Sequence, residues 1–178
     1  MKRLPSLLVI LVLFGCGGSD SPSTPTPSTP TPSVVNAAGL WTGTSRLDTV
    51  SGGDCVGTTM SAMVGTTANV TVQITQNGSA LTALSTATAT GDTTNYSGTA
   101  GSTSISLDWT QMSAGIITGF RCSNGERRDM EVRTNAVTAT ISGNTQTGTQ
   151  AESWNIKVNG TGQAVGTLFL NTSFTLRR

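Results

Sequence analysis

The chain has 178 residues, of which 10 are Lys or Arg and 9 are Asp or Glu, giving a formal net charge of +1 and only 11% charged residues. This balance argues against general electrostatic binding of nucleic acid, which needs a basic surface. Histidine is absent from the sequence, which removes the commonest general base and metal ligand, and with them most hydrolase triads and zinc sites.

The residue types also favour one fold class. The chain is rich in threonine, serine and glycine, and aromatic residues make up 4% of it. The β-branched threonines favour strands, and the small residues favour turns. We therefore expect an all-β protein rather than a helical bundle or a doubly wound α/β fold.

Residues 1–15 have the layout of an export signal. Lys2 and Arg3 precede an apolar run over residues 7–14, which is too short to span a bilayer comfortably. The alternative is a leader that stays in the membrane as an anchor.

The boundary of this segment, Leu13-Phe14-Gly15-Cys16, resembles the lipobox of bacterial lipoproteins. In that family the signal peptide is cut before the cysteine, the thiol receives diacylglycerol, and the new amine receives a fatty acid such as palmitate. The resemblance implies that Cys16 is a lipidated N-terminus. In that family, an aspartate directly after the cysteine would alter sorting. The sequence has Gly17 there, which implies the bacterial outer membrane as the destination.

Residues 16–35 join this cysteine to a tract rich in proline, serine and threonine, and all six prolines lie at or before Pro32. Proline removes backbone donors and favours extended angles, so we expect a semi-rigid linker. At about 3.1 Å per residue it could hold a folded domain up to roughly 50 Å from a membrane. The alternative is a ligand for a proline-recognising domain.

Residues 36–178 alternate between apolar and polar side chains, most clearly at 70–74, 105–109, 137–141 and 154–158. A period of two predicts half-buried strands, and pairs such as Asn77-Gly78 and Asn124-Gly125 predict the turns between them. We predict eight to ten antiparallel strands closed into an up-and-down barrel, because closure removes exposed strand edges. A β-sandwich is the alternative.

The stretch 56–64 departs from this alternation. We expect it to form a loop or a short helix over one end of the barrel. Its apolar residues, including Met60 and Met63, either plug the core or form a lid, and plugging is favoured because methionine commonly fills irregular gaps.

The two ends of this zone resemble the lipocalin-like (calycin) small barrels of bacterial lipoproteins. Gly39 and Trp41 match the Gly-x-Trp pattern that opens the first strand, and Arg177 and Arg178 match the basic residue near the end of the last strand. The resemblance implies a barrel over residues 36–178 that is closed by a cation–π contact between Trp41 and one of these arginines. Avidin-like barrels, which also open with Gly-x-Trp, are a second resemblance.

Cys55 and Cys122 remain as a pair if Cys16 is lipidated. In an exported protein, two remaining cysteines most often form a disulfide with each other. A redox pair is the alternative, although the close Cys-x-x-Cys spacing typical of one is missing.

A dense run of charges surrounds the Asn124-Gly125 turn. We interpret it as a solvated outer face with weak ion pairs. The alternative is a cluster at the barrel mouth that binds an anionic head group or a partner through Arg127 and Arg128. Trp109 and Trp154 are either core anchors or ligand-stacking residues.

The sequence offers little for catalysis. No spacing rule brings carboxylates such as Asp108 and Glu126 together, and no nucleophile elbow, phosphate loop or metal-ligand spacing is present. We therefore expect no enzymatic activity, no catalytic residues, no cofactor and no metal.

Two functions remain open. The first is an outer-membrane lipoprotein whose barrel binds or carries a small apolar or amphiphilic ligand, since an eight-stranded barrel has room for one. The second is a structural or interaction module whose barrel is filled by its own side chains. The expected partners are the membrane, through the lipid, and a small hydrophobic ligand, but not nucleic acid.

Overall fold

The computed structural model describes residues 33–178. The predicted signal peptide, Cys16 and most of the predicted linker lie outside these residues. The described chain forms, in order, β1 (Gly39–Gly52), α1 (Asp54–Ser61), β2 (Thr67–Asn77), β3 (Ala80–Ala87), β4 (Thr93–Ala100), β5 (Ser104–Met112), β6 (Ile116–Arg121), β7 (Arg127–Ser142), β8 (Thr145–Val158) and β9 (Ala164–Arg177). Within this part of the chain, no helix has the length and apolar character needed to cross a membrane.

Eight of the strands close into an antiparallel barrel. β1 to β5 pair in sequence order, β9, β8 and β7 continue the sheet on the other side of β1, and pairing of β5 with β7 completes the ring. The predicted all-β up-and-down barrel is therefore confirmed, in place of the alternative sandwich.

The ninth strand, β6, lies outside the ring. It pairs with the first half of β7, whereas β5 pairs with the second half. The four strands β1, β7, β8 and β9 have 14 to 16 residues each, while β2 to β5 have 8 to 11. The barrel wall is consequently tall on one side and short on the other.

The alternation of the sequence explains which side chains are inside. Ile74, Leu107 and Ile156 are buried, as the period of two predicted. Two-residue turns link β2 to β3 and β7 to β8, where Gly78 and Gly143 take φ angles of 60° and 58°. Glycine adopts such angles without the steric cost that a side chain brings.

A first hydrophobic core fills the end of the barrel at which the described chain enters. Trp41 is completely buried there, and its Nε1 donates to the carbonyl of Ala37 at 2.8 Å. The backbone of Ala37 donates to the side chain of Gln76 at 2.7 Å, and Gln76 donates to the carbonyl of Val35 at 2.9 Å. The segment before β1 therefore covers this end, which we call the closed end.

A second core lies under the tall side of the wall. Val56 of α1 is completely buried in it, together with residues from β7, β8 and β9. The helix thus plugs this core, as the stretch 56–64 predicted, although Met63 and Val64 remain exposed. The predicted disulfide between Cys55 and Cys122 is present and ties α1 to the chain just after β6.

Candidate functional site

A cavity lies inside the barrel and has a volume of about 60 Å³. Apolar side chains such as Val70 and Leu107 form part of its wall. Its polar lining consists of Ser45, Ser85, Tyr96, Gln146 and Gln150. This inner cavity has room for on the order of four water molecules, or for a small head group.

The inner cavity continues into a wider space at the short side of the wall. This mouth has a volume of about 310 Å³ and shares Tyr96 and Gln150, among others, with the inner cavity. Its apolar lining includes Ala68, Ala87, Met112, Ala114 and Ile117. A narrow polar interior therefore opens through a larger and more apolar entrance, at the opposite end of β2 to β4 from the closed end.

A hydrogen-bonded polar cluster lies beside the inner cavity. The Oε1 atom of Glu152 accepts from Gln150 Nε2 at 2.5 Å and from Asn135 Nδ2 at 2.9 Å, and Oε2 accepts from Trp154 Nε1 at 3.1 Å. Tyr96 donates to Asn135 Oδ1 at 3.3 Å. All donors to the carboxylate are neutral, and none of the ion pairs within residues 33–178 includes Glu152.

The surroundings shift the acidity of two groups in this cluster. Burial raises the pKa of Glu152, and the hydrogen bonds from Trp154 and Gln150 offset only part of this effect. Burial, reinforced by the negative charge of Glu152, raises the pKa of Tyr96 to about 12. Tyr96 therefore keeps its proton at neutral pH and can both donate and accept hydrogen bonds.

Gln146 is a further unusual group of the inner cavity. It is only 2% exposed, yet its Oε1 has no hydrogen-bond partner among the described residues. Leaving a buried polar atom unpaired costs about 1 to 3 kcal/mol. Because this side chain lines the cavity, a hydrogen-bond donor placed in the cavity is well situated to relieve that cost.

The residues predicted to close the barrel lie at the closed end. Gly39 begins β1, and the guanidinium carbon of Arg178 lies 4.7 Å from the centroid of the Trp41 ring. Arg178 also donates to the carbonyl of Ala38 at 2.9 Å. Of the two arginines, both exposed, Arg178 is the one that makes the cation–π contact.

The two tryptophans predicted as core anchors or ligand contacts have different positions. Trp154 is buried in the second core and also lines the mouth. Trp109 is half-buried and packs against both cores. Trp154 is therefore the one that the structure brings to the candidate site.

The two arginines predicted as alternative ligand contacts lie away from this site, at the start of β7. Neither Arg127 nor Arg128 is among the described residues that line the inner cavity or the mouth. Arg128 pairs with Asp54 at 2.8 Å and with Glu126 at 2.7 Å. It thereby holds the first turn of α1 against the β6–β7 hairpin.

The polar cluster was not predicted from the sequence. The first half of β8 has small or polar residues on both faces, so no alternation of hydrophobicity marks its inner side. The available signal was the spacing to Trp154, because Gln150 and Glu152 precede this buried residue by four and two positions and therefore share its face. Tyr96 and Asn135 come from other strands and join the cluster only through the closure of the barrel.

Comparison with known proteins adds no functional assignment. No family model matches the chain, and no curated protein or solved structure matches it either. The cavity and its side chains therefore carry the functional assignment.

Proposed function

We propose that the chain is a lipid-anchored protein of the bacterial outer membrane whose barrel binds or carries a small apolar or amphiphilic molecule. The observation that supports binding is the continuity between the inner cavity and the mouth, which share Tyr96 and Gln150. The alternative interaction module, with its barrel filled by its own side chains, does not require such a space. The anchoring rests on the leader and Cys16 alone.

The two volumes indicate how a ligand is arranged. A cavity of about 150 Å³ can hold a molecule the size of benzene, so the mouth, at about 310 Å³, has room for a short alkyl chain or a ring. The inner cavity, at about 60 Å³, takes only a head group. Small-molecule sites typically combine an apolar wall with a few polar groups that fix orientation.

Native mass spectrometry of the full chain extracted from its own membrane tests this proposal. We expect an added mass from a co-purified small molecule. The variant Ala87→Trp, which fills the mouth, should lose that mass, whereas Ala151→Trp, on the exposed face of β8, should keep it. If neither the wild-type chain nor either variant carries added mass, the result favours the interaction module.

A further inference from the structure

We propose that the barrel selects amphiphiles whose head group is a protonated amine, with the head group in the inner cavity and the apolar body in the mouth. This inference rests on the proposed function and specifies its ligand class. It is carried by three observations: acceptors at the inner end that lack a donor, the carboxylate of Glu152 beside it, and a lining in which none of the described residues is basic.

Some hydrogen-bond acceptors at the inner end have too few donors. The Nε2 atom of Gln150 has two protons but lies within reach of three acceptors, on Glu152, Asn135 and Tyr96, at 2.5, 3.1 and 3.3 Å. The buried Oε1 of Gln146 has no donor among the described residues. A primary ammonium group has three N–H donors and no acceptor, so it supplies what this cluster lacks.

The charges around the site also favour a cation. Asp92 lines the mouth, and the carboxylate of Glu152 lies one hydrogen bond behind Gln150. Neither Lys nor Arg is among the described residues that line the inner cavity or the mouth. Charges interact more strongly in the barrel interior than in water, so an ammonium group gains from Glu152 without touching it. A carboxylate head group is repelled by Glu152 and has no cationic side chain among the described lining residues to pair with.

Three probes with the same hexyl tail separate the head-group effect from burial of the tail. The full chain, held in phosphatidylcholine nanodiscs, is titrated with hexylamine, hexan-1-ol and hexanoate at neutral pH, and empty nanodiscs correct for partitioning into lipid. Calorimetry gives the three dissociation constants. We expect hexylamine to bind on the order of tenfold more tightly than hexan-1-ol, and hexanoate to bind most weakly.

Replacing the carboxylate tests its part in this selectivity. Glu152→Gln should bring the affinity for hexylamine down to the affinity of the same variant for hexan-1-ol. Glu131→Gln is the matched control, because Glu131 carries the same charge but pairs with Lys157 in a half-exposed ion pair outside the site. This variant should keep the full preference for the amine.

A pH series with the wild-type chain serves if Glu152→Gln does not fold. The probe is again hexylamine, which stays protonated below about pH 9 because a primary alkyl amine has a pKa near the lysine value of about 10.4, and its binding should strengthen as pH rises and Glu152 ionises. Among the described lining residues, Tyr96 on β4 and Asp92 just before it are titratable. Arg133 of β7 and Glu152 border the same depression on the outer face of the barrel. Repeating the series with Asp92→Asn separates the contribution of Asp92, at the mouth, from that of Glu152.

The outcomes distinguish the two proposals. Failure of all probes to bind overturns the proposed function itself. Equal binding of hexylamine and hexan-1-ol leaves a binding barrel but overturns selection of amines, as does tightest binding of hexanoate. An amine preference that survives Glu152→Gln also overturns the inference.

Discussion

The guanidinium carbon of Arg178 lies 4.7 Å from the centroid of the Trp41 ring, across the closed end of the barrel. Arg178 directly follows β9, and Trp41 belongs to β1, so the pairing of these strands brings the two ends of the folded region together. The indole Nε1 is held by the carbonyl of Ala37. The closed end is therefore built from the segments that begin and end the barrel.

Removing this cation should weaken the fold. Arg178→Gln loses the cation–π contact, which contributes about 0.5 to 2 kcal/mol depending on desolvation. We expect the free energy of unfolding, measured by urea denaturation, to fall by about 1 kcal/mol. Arg177→Gln, at the neighbouring exposed position, is the control and should change stability by less than about 0.5 kcal/mol. Equal losses in the two variants would contradict the contact's role.

The disulfide should make a large contribution to stability. Cys55 and Cys122 are 67 positions apart. In the chain-entropy model, closing a loop of this size stabilises a fold by at most roughly 4 kcal/mol. We expect the double variant Cys55→Ser, Cys122→Ser to unfold at a clearly lower urea concentration. Thiol titration of the unfolded, non-reduced wild-type chain should find neither cysteine reactive, and two reactive thiols would rule out the bridge.

Glu152 should make stability depend on pH. Its folded-state pKa is raised above the unfolded value of about 4.3, so ionisation costs more free energy in the folded chain than in the unfolded chain. The contribution of this group is fully present below about pH 4 and is lost as pH rises through the folded-state pKa. Urea denaturation over a pH series should show this loss in the wild type and not in Glu152→Gln. Parallel curves for the two proteins would argue against it.

The anchoring proposal predicts where the protein fractionates. If Cys16 carries the acyl chains, Cys16→Ser should move the chain from the membrane pellet to the soluble fraction, because each buried methylene contributes about 0.8 kcal/mol to membrane binding. Cell fractionation followed by immunoblotting measures this directly. Ser19→Ala, in the same segment, is the control and should stay in the pellet. Retention of Cys16→Ser in the membrane would refute the lipid anchor.

Much of the fold could be predicted because its signals are local. The alternation at Val70 to Ile74 and the glycines of the tight turns depend only on neighbours in sequence. The division of β7 between two partner strands could not be predicted, because the pairings of β5 and β6 with it are set by long-range register.

The candidate site was harder to predict than the barrel around it. Gln146, Gln150 and Glu152 have the polar character expected of an outer face, yet they point inward. In the sequence, a polar residue that faces inward cannot be told from an outward-facing residue of a strand shifted by one position. Only the positions of Tyr96 and Asn135, on strands far apart in the chain, show that these side chains meet in a common network.

The hydrogen bonds between β1 and β9 also have a consequence for the time course of folding. The ring cannot close until the last strand is present, so every intermediate that lacks it carries two unpaired edges. Barrels dominated by such distant pairings fold slowly, in about milliseconds to seconds. A chain halted before residue 164 lacks the seam strand entirely and is left prone to aggregation.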